Sequence, residues 1–233
     1  MAIFKTDPRE IPAYSIPEAA HYLGLPASTL RSWFVGQRYV HDGKRRQFQA
    51  VITPADPDGR SLSFSNLVEA YVLTAIRRKH HIGLPTIRRG LGYLTKQLGS
   101  KRPLLQEQFA TRGAELFVER LGEIINLSRN GQLEMADLIR AYLERVERDA
   151  KGVPIKLFPF MRSQPPREQP RTIVIDPRVS FGRPVIAGTA IPTAVLAEQF
   201  KAGDTVPVLA KEYGATEEAV WDAIRCELDL QAA

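Results

Sequence analysis

The sequence has few of the residues and patterns that build redox, metal or membrane sites. It has one cysteine, Cys226, so no disulfide can form within the chain, and this suits a reducing compartment. Its four histidines show no pairing with cysteine or carboxylate at metal-ligand spacing. No apolar run is long enough to span a bilayer, and the first eight residues lack the apolar stretch of a secretory signal. We therefore expect a cytoplasmic protein with no cofactor, no metal and no membrane contact, and not an enzyme.

Charge is distributed unevenly along the chain, whose formal net charge is +6. Residues 1–102 carry 16 Lys and Arg against 7 Asp and Glu, a net of +9, whereas residues 103–233 carry 16 against 19, a net of −3. A basic N-terminal part favours a polyanionic partner, and nucleic acid is the commonest one. A solvated basic surface without a partner is the alternative.

Proline and polar residues mark a boundary late in the chain. Ser163–Arg171 contains three prolines and no large apolar residue, which predicts an extended linker with few core contacts across it. We therefore expect an N-terminal domain over 1–100, an α+β middle segment over 101–162, the linker over 163–171, and a separable acidic helical interaction module over 172–233. The last of these carries 5 Lys and Arg against 9 Asp and Glu, a net of −4.

Hydrophobic periodicity and turn residues predict an α+β fold that is mainly helical. Ser15 and Glu18 have capping-box spacing at the start of a helix that Gly24 stops. Further helices are predicted over 27–34, 66–79, 85–98 and 133–148, strands over 47–53, near 62, and over 115–118, 123–127 and 153–158, and turns at 56–59 and 130–131.

Two segments of the chain resemble each other. Residues 15–34 and 205–224 align without a gap at an offset of 190, so that Ala20 and Gly24 correspond to Ala210 and Gly214. Each copy has a small residue, a glycine four positions later and an apolar residue six positions after that. This spacing is typical of a helix-turn-helix, in which two short helices meet closely across a tight turn.

The two copies predict different surfaces. The second helix of the first copy carries small, polar and basic residues, and basic residues follow it in a position like the wing of a winged helix. The second copy has Glu217, Glu218 and Asp222 instead, and these carboxylates would be repelled by phosphates. The predicted DNA-binding residues are Ser28, Thr29, Arg31, Ser32, Arg38, Lys44, Arg45 and Arg46. Trp33 is interpreted as a core anchor, with base stacking as the alternative.

The segment from Tyr14 to Trp33 resembles the MerR-like winged helix-turn-helix, and Leu62–Ala70 looks like the stretch that follows the wing in VapB-like antitoxins. Residues 175–192, including the Phe181–Thr189 stretch, resemble a small bacterial module of unknown function that is often encoded beside PIN-like ribonuclease toxins. That family usually has arginine after the Gly-Thr pair, where this chain has Ala190.

The resemblance implies a type II antitoxin of the VapB kind. Such a protein binds its own promoter as a dimer and neutralises its cognate toxin by direct contact. The alternative is a MerR-like transcription regulator without a toxin partner, although such regulators normally append a long coiled coil that the 66–79 helix is too short to form.

Four residues are candidates for contact with a protein partner. Arg178 and Arg183 flank a constrained loop of the acidic module, where a guanidinium could pair with carboxylates of a nuclease site. The alternative is that both arginines fix the local turn. Phe158 and Phe160 lie in an apolar cluster before the linker, which is either core or an exposed docking patch.

Overall fold

The computed structural model describes residues 7–41, 44–78, 82–125, 127–159 and 166–228. The described chain is mostly helical, with small antiparallel sheets of two strands each. The helices are α1 (Ile16–Tyr22), α2 (Ala27–Phe34), α3 (Phe64–Arg78), α4 (Leu84–Leu98), α5 (Ala114–Ile125), α6 (Arg129–Leu143), α7 (Thr193–Ala202), α8 (Val206–Tyr213) and α9 (Glu217–Glu227). The strands are β1 (Tyr14–Ser15), β2 (Gln37–His41), β3 (Lys44–Phe48), β4 (Ser61–Leu62), β5 (Val146–Arg148), β6 (Pro154–Leu157), β7 (Ile173–Val174) and β8 (Val185–Ile186).

Helix α3 is the centre of the core. Its side chains from Phe64 to Ile76 are all buried, and it packs against α6. Asn66 at its start is fully buried, and its amide oxygen accepts from the backbone N–H of Ala55 at 2.7 Å while its amide nitrogen donates to the carbonyl of Thr53 at 2.9 Å. Since a buried amide must be satisfied, Asn66 fixes the loop that follows the β2–β3 ribbon.

The sequence-predicted strands over 115–118 and 123–127 are wrong, because α5 occupies this segment. Ala114, Phe117, Val118 and Leu121 are its buried residues at helical spacing, which places them on one face against α4 and α6. The predicted turn at 130–131 is also wrong. Gly131 lies in the first turn of α6, where its N–H donates to the capping hydroxyl of Ser128 at 3.2 Å, so the turn residues here begin a helix.

The boundaries of two other predicted elements shift, and a third element is confirmed. The strand predicted over 47–53 is β3, which begins at Lys44 and ends at Phe48. The helix predicted to reach Arg148 ends at Leu143, and residues 146–148 form β5 instead. β4 confirms a strand near Leu62, and its partner is the unpredicted β1.

The predicted linker is not a free spacer in its described part. Residues 166–168 form a 3₁₀ turn, and Gln169 is buried. The buried guanidinium of Arg145 donates to the carbonyl oxygens of Phe158 at 2.9 Å, Gln169 at 2.7 Å and Pro170 at 2.8 Å. Composition could not reveal this, because the carbonyls of a polar segment are satisfied here by an arginine from a distant element.

The C-terminal module contacts the rest of the chain through backbone hydrogen bonds and apolar side chains. Leu157 of β6 and Ile175 exchange both backbone hydrogen bonds, at 3.0 and 2.8 Å, so the middle segment and the module are hydrogen-bonded to each other. Ile173, Ile186 and Val220 belong to the same hydrophobic cluster as the residues of α1, α2 and α3. Apolar residues on both sides of the linker thus belong to one cluster, and a module that folds alone stays a prediction.

Three polar contacts join the module to the N-terminal domain. The hydroxyl of Tyr14 donates to the carbonyl of Gly182 at 2.8 Å, and Arg183 forms an ion pair with Glu18 of α1. The Nε2 of His21 lies 2.6 Å from the carbonyl oxygen of Cys226, and since a carbonyl only accepts, this nitrogen carries the proton. Helix α1 is thus fixed from both sides, by α2 and by the module. In the part of the chain that the structure describes, the helices are too short or too polar to cross a bilayer.

Candidate nucleic-acid interface

The first helix pair is built as the sequence predicts. Helix α1 begins with a full capping box, in which the Ser15 hydroxyl accepts from the Glu18 N–H and the Glu18 carboxylate accepts from the Ser15 N–H, both at 3.3 Å. Gly24 has φ +61°, in the left-handed region where glycine carries no steric penalty. Ala20 and Leu30 are buried at the contact between the helices, so α2 lies close against α1.

Helix α2 has one buried face and one exposed face. Leu30, Trp33 and Phe34 are buried, which confirms Trp33 as a core residue. The guanidinium of Arg77 lies over the Trp33 ring, 5.7 Å from its centroid. The opposite face carries the predicted contact residues: Ser28 and Arg31 are exposed, and Thr29 and Ser32 are partly exposed. The face thus offers hydroxyls and one cation without bulky apolar groups, which suits approach to a DNA groove.

Strands β2 and β3 form an antiparallel ribbon directly after α2. Arg38 is paired with Gln47, Arg45 with Val40, and Arg46 with Tyr39. Lys44 is paired with His41. The ribbon thus gathers the four predicted basic residues into one short hairpin-like element, while their side chains lie outside the described part of the structure. Arg88 of α4 donates to the carbonyl of Gln49, which connects α4 to the end of this ribbon.

The second helix pair repeats the first at the same offset of 190. Helices α8 and α9 begin at Val206 and Glu217, the counterparts of Ile16 and Ala27. Gly214 between them has φ +62°, matching Gly24. The predicted cap of α9 is confirmed, because the Thr216 hydroxyl accepts from the Ala219 N–H at 3.2 Å.

The outer face of α9 differs from that of α2. Glu217 and Glu218 are exposed at the start of the helix, where the positive end of the helix dipole stabilises them. Asp222 is not on this surface, contrary to the sequence-based prediction. It is fully buried, and it accepts from the Thr172 hydroxyl at 2.5 Å and from the Arg225 guanidinium at 3.0 Å, so it connects α9 to the residue directly before β7.

The residues predicted for partner binding divide into three cases. Arg178 makes two side-chain hydrogen bonds to Asp176, at 3.0 and 2.8 Å, which is the local role left open from the sequence. Burial of Asp176 opposes its ionisation, but the bonds from Arg178 outweigh this and lower the pKa of the carboxyl. Arg183 faces Glu18. Phe158 is buried against Val174 and Val185, which makes it core, and Phe160 lies outside the described residues.

One exposed residue was missed from the sequence. Phe181 is 93% exposed, more than any other large apolar side chain of the described chain. The sequence offered a weak signal, a large aromatic residue directly before a glycine in a proline-flanked turn.

Titratable groups give little sign of a catalytic centre in the described residues. They contain no group of three or more His, Cys, Asp or Glu placed to hold a metal ion. Burial raises the pKa of the Cys226 thiol, so it is a packing residue and not an activated nucleophile. Arg102, which lines a cavity of about 360 Å³, donates to Glu69 at 2.7 Å. Burial nevertheless raises the pKa of the Glu69 carboxyl.

Family models match both ends of the chain. Residues 12–91 match a family described as a putative DNA-binding HTH domain, and residues 173–225 match one described as a protein of unknown function, DUF433. The first range contains α1, α2 and the β2–β3 ribbon, and the second contains α7, α8 and most of α9. A family model described as a putative DNA-binding HTH domain thus covers the segment in which residue spacing predicts a helix-turn-helix.

A curated sequence and a solved structure, both from Mycobacterium tuberculosis, are similar to this chain over nearly its whole length. The chain is 30% identical to the putative antitoxin VapB45 over 234 residues, which covers 92% of this chain and 93% of the relative. The crystal structure of Rv2018 has the same fold, with a TM-score of 0.66 and 23% identity over 92% of this chain and 98% of that one. The chain therefore belongs to the family of the putative antitoxin VapB45.

Proposed function

We propose that the protein is an antitoxin-type autoregulator: it binds the operator of its own promoter as a homodimer and neutralises a PIN-like ribonuclease toxin by direct contact. Its role in this proposal is regulatory and not catalytic. The observation that carries the DNA-binding half is the outer face of α2, where Ser28 and Arg31 stand exposed beside a basic ribbon.

The proposed DNA contact is that of a winged helix-turn-helix. Helix α2 enters the major groove, Arg31 reaches a base edge or a phosphate, and Arg38 and Lys44–Arg46 of the ribbon contact the backbone. In a homodimer, two such helices read half-sites about 34 Å apart. The net charge of +9 over residues 1–102 supports this orientation.

The toxin half is supported by the family and by the acidic C-terminal module. The similar protein VapB45 is named an antitoxin, and the exposed Glu217 and Glu218 of the module disfavour DNA and leave its surface to a protein. The ribonuclease class of the toxin is the one that the sequence resemblance implies.

A MerR-like regulator without a toxin is the second candidate. It is weakened by the burial of α3, since a helix that is buried from Phe64 to Ile76 cannot extend as a dimerising coiled coil after the wing. The MerR-like regulator is favoured only if the chain binds promoter DNA and does not bind the nuclease encoded beside its gene.

The salt dependence of promoter binding tests the DNA half. Replacing Lys44, Arg45 and Arg46 with alanine should flatten the slope of log affinity against log salt by up to about three phosphate contacts. The matched control replaces Lys151, Lys201 and Lys211, which are exposed and change the net charge equally, and its slope should stay nearly as in the wild type. Equal slopes for both triple variants would remove the ribbon from the interface.

Inhibition of RNA cleavage tests the toxin half. The full chain should form a complex with the PIN-like nuclease encoded beside its gene and suppress its cleavage of RNA. Promoter binding without any nuclease binding would favour the second candidate, and absence of promoter binding would contradict both.

A further inference from the structure

The loop at residues 179–183, called here the Phe181 loop, holds an apolar side chain in water. Phe181 is 93% exposed, whereas the next most exposed large apolar residue of the described chain, Leu133, is 57% exposed. An isolated surface leucine on a helix is ordinary. A phenylalanine with nearly its whole ring in solvent contributes almost nothing to folding by burial, so the fold does not explain it.

The backbone of the loop is strained in a way that only its surroundings can maintain. Ser180 has φ +46°, Phe181 has φ +56° and ψ +30°, and Gly182 has φ +79°, which is a run of three left-handed residues. Residues other than glycine are disfavoured in this region of backbone angles. Two non-glycine residues side by side in it are unusual, and such strain collects at binding and catalytic sites.

Contacts from other parts of the chain hold this strained shape. The Tyr14 hydroxyl donates to the Gly182 carbonyl at 2.8 Å, and a Cβ at position 182 would collide with that hydroxyl, so only glycine fits. Burial raises the pKa of Tyr14, which keeps the hydroxyl a donor. The Ser180 hydroxyl donates to the Ala190 carbonyl at 3.3 Å, and Val179 packs on Phe158 and its cluster. The loop is therefore fixed on both sides of Phe181 while the ring remains free.

The charges around the ring are arranged with cations outward. The side chain of Arg178 is 57% exposed and that of Arg183 is 47% exposed, whereas their carboxylate partners Asp176 and Glu18 are 5% and 22% exposed. A molecule that approaches Phe181 therefore meets guanidinium groups before carboxylates. A complementary surface has an apolar pocket with acidic groups at its rim.

We infer that Phe181 is the anchor by which the chain docks onto its toxin, entering an apolar pocket rimmed by carboxylates, with Arg178 and Arg183 facing that rim. This rests on the proposed function. A large aromatic side chain on a fixed backbone has only two torsions to order on binding, which favours it as an interface hot spot.

Two other occupants fit less well. A second copy of the chain, bound through the same patch, would bring Arg178 and Arg183 against their own equivalents, which like-charge repulsion opposes. DNA would have to approach a module of net charge −4. A protein with an acidic rim meets neither obstacle.

The variant Phe181→Gly separates binding from stability. Glycine adopts the left-handed backbone without penalty, so the variant should melt at the same temperature as the wild type or higher. Its affinity for the PIN-like nuclease encoded beside the gene should fall at least about 30-fold, the effect expected of a hot spot. The control Leu133→Ala, at the exposed apolar position on α6, should leave that affinity unchanged.

The outcomes distinguish a failure of the Phe181 inference from a failure of the proposed antitoxin function. Binding by the wild type that Phe181→Gly leaves intact would overturn the anchor and keep the proposed antitoxin role. Failure of the wild type to bind the nuclease would overturn both. Conversion of a dimer to a monomer in sedimentation, or loss of promoter affinity in gel shift with toxin affinity kept, would overturn the anchor by assigning Phe181 to a second copy or to DNA.

Discussion

The two helix pairs of this chain have the same construction and different surfaces. Helices α1 and α8 begin at matching positions, Gly24 and Gly214 turn the chain at φ +61° and +62°, and Leu30 and Val220 are both fully buried. On the outer face, Ser28 and Arg31 of α2 correspond to Glu218 and Trp221 of α9. The buried half of each pair determines how the helices pack, and the exposed half determines what the pair can meet.

The second pair also contacts a neighbouring helix through its outer face. Trp221 packs edge-on against Phe200 of α7 at 5.6 Å, and the Arg225 guanidinium lies 5.8 Å from the Trp221 ring centroid. Helix α2 has hydroxyls and Arg31 at the corresponding surface. The same helical unit thus carries an aromatic contact to a neighbouring helix at one end of the chain and a candidate groove-binding surface at the other.

The greatest loss of stability is expected from substitutions at the buried residue that the two helix pairs share. Leu30→Ala should lower the free energy of unfolding by about 3 kcal/mol, because it deletes a fully buried side chain and leaves a cavity. Val220→Ala at the corresponding position removes a smaller side chain and should cost about 2 kcal/mol. Urea unfolding measures both. A negligible loss for either variant would show that its helix pair is not packed through that residue.

Promoter binding should respond differently to substitutions on the outer faces of α2 and α9. Arg31→Ala should weaken promoter binding by about 1–3 kcal/mol if the guanidinium reaches a base edge. Trp221→Ala, at the position 190 residues later, should leave promoter affinity nearly unchanged. Gel shifts at moderate salt compare the two variants, and equal losses would mean that the two faces do not differ in function.

The smallest expected effect concerns the two glycines. Gly24→Ala and Gly214→Ala each place a methyl group on a left-handed residue, which should cost about 1 kcal/mol of unfolding free energy. The costs should be similar because the backbone angles are. Thermal unfolding measures them, and a much larger cost at Gly24 would mean that its turn bears strain that Gly214 does not share.

Local signals predicted the N-terminal helices well. The Ser15–Glu18 capping box, Gly24 and the 27–34 helix follow from spacing and cap chemistry, which act over a few residues. Around residue 115 the same reasoning failed, because the short run at Glu115–Val118 fits a strand and a helix alike until Leu121 is included.

What the sequence could not predict depends on contacts between distant residues. Arg145 satisfies the carbonyl of Phe158 before the predicted linker and the carbonyls of Gln169 and Pro170 within it. The buried Asp222 accepts from Thr172, 50 positions earlier in the chain. The loop that carries Phe181 is held by Tyr14, whose hydroxyl donates to Gly182, 168 positions later in the chain. No short window of sequence contains these distant partners, so composition and periodicity could not predict the contacts between them.

The central claim is that the first helix pair contacts DNA and the second does not. Hydrogen–deuterium exchange of the full chain, with and without its own promoter DNA, tests both halves in one measurement. The account predicts slower exchange on DNA binding in the Ala27–Phe34 helix and in the 37–48 ribbon, and unchanged exchange in Glu217–Glu227. Protection of Glu217–Glu227 with no change in Ala27–Phe34 would contradict it.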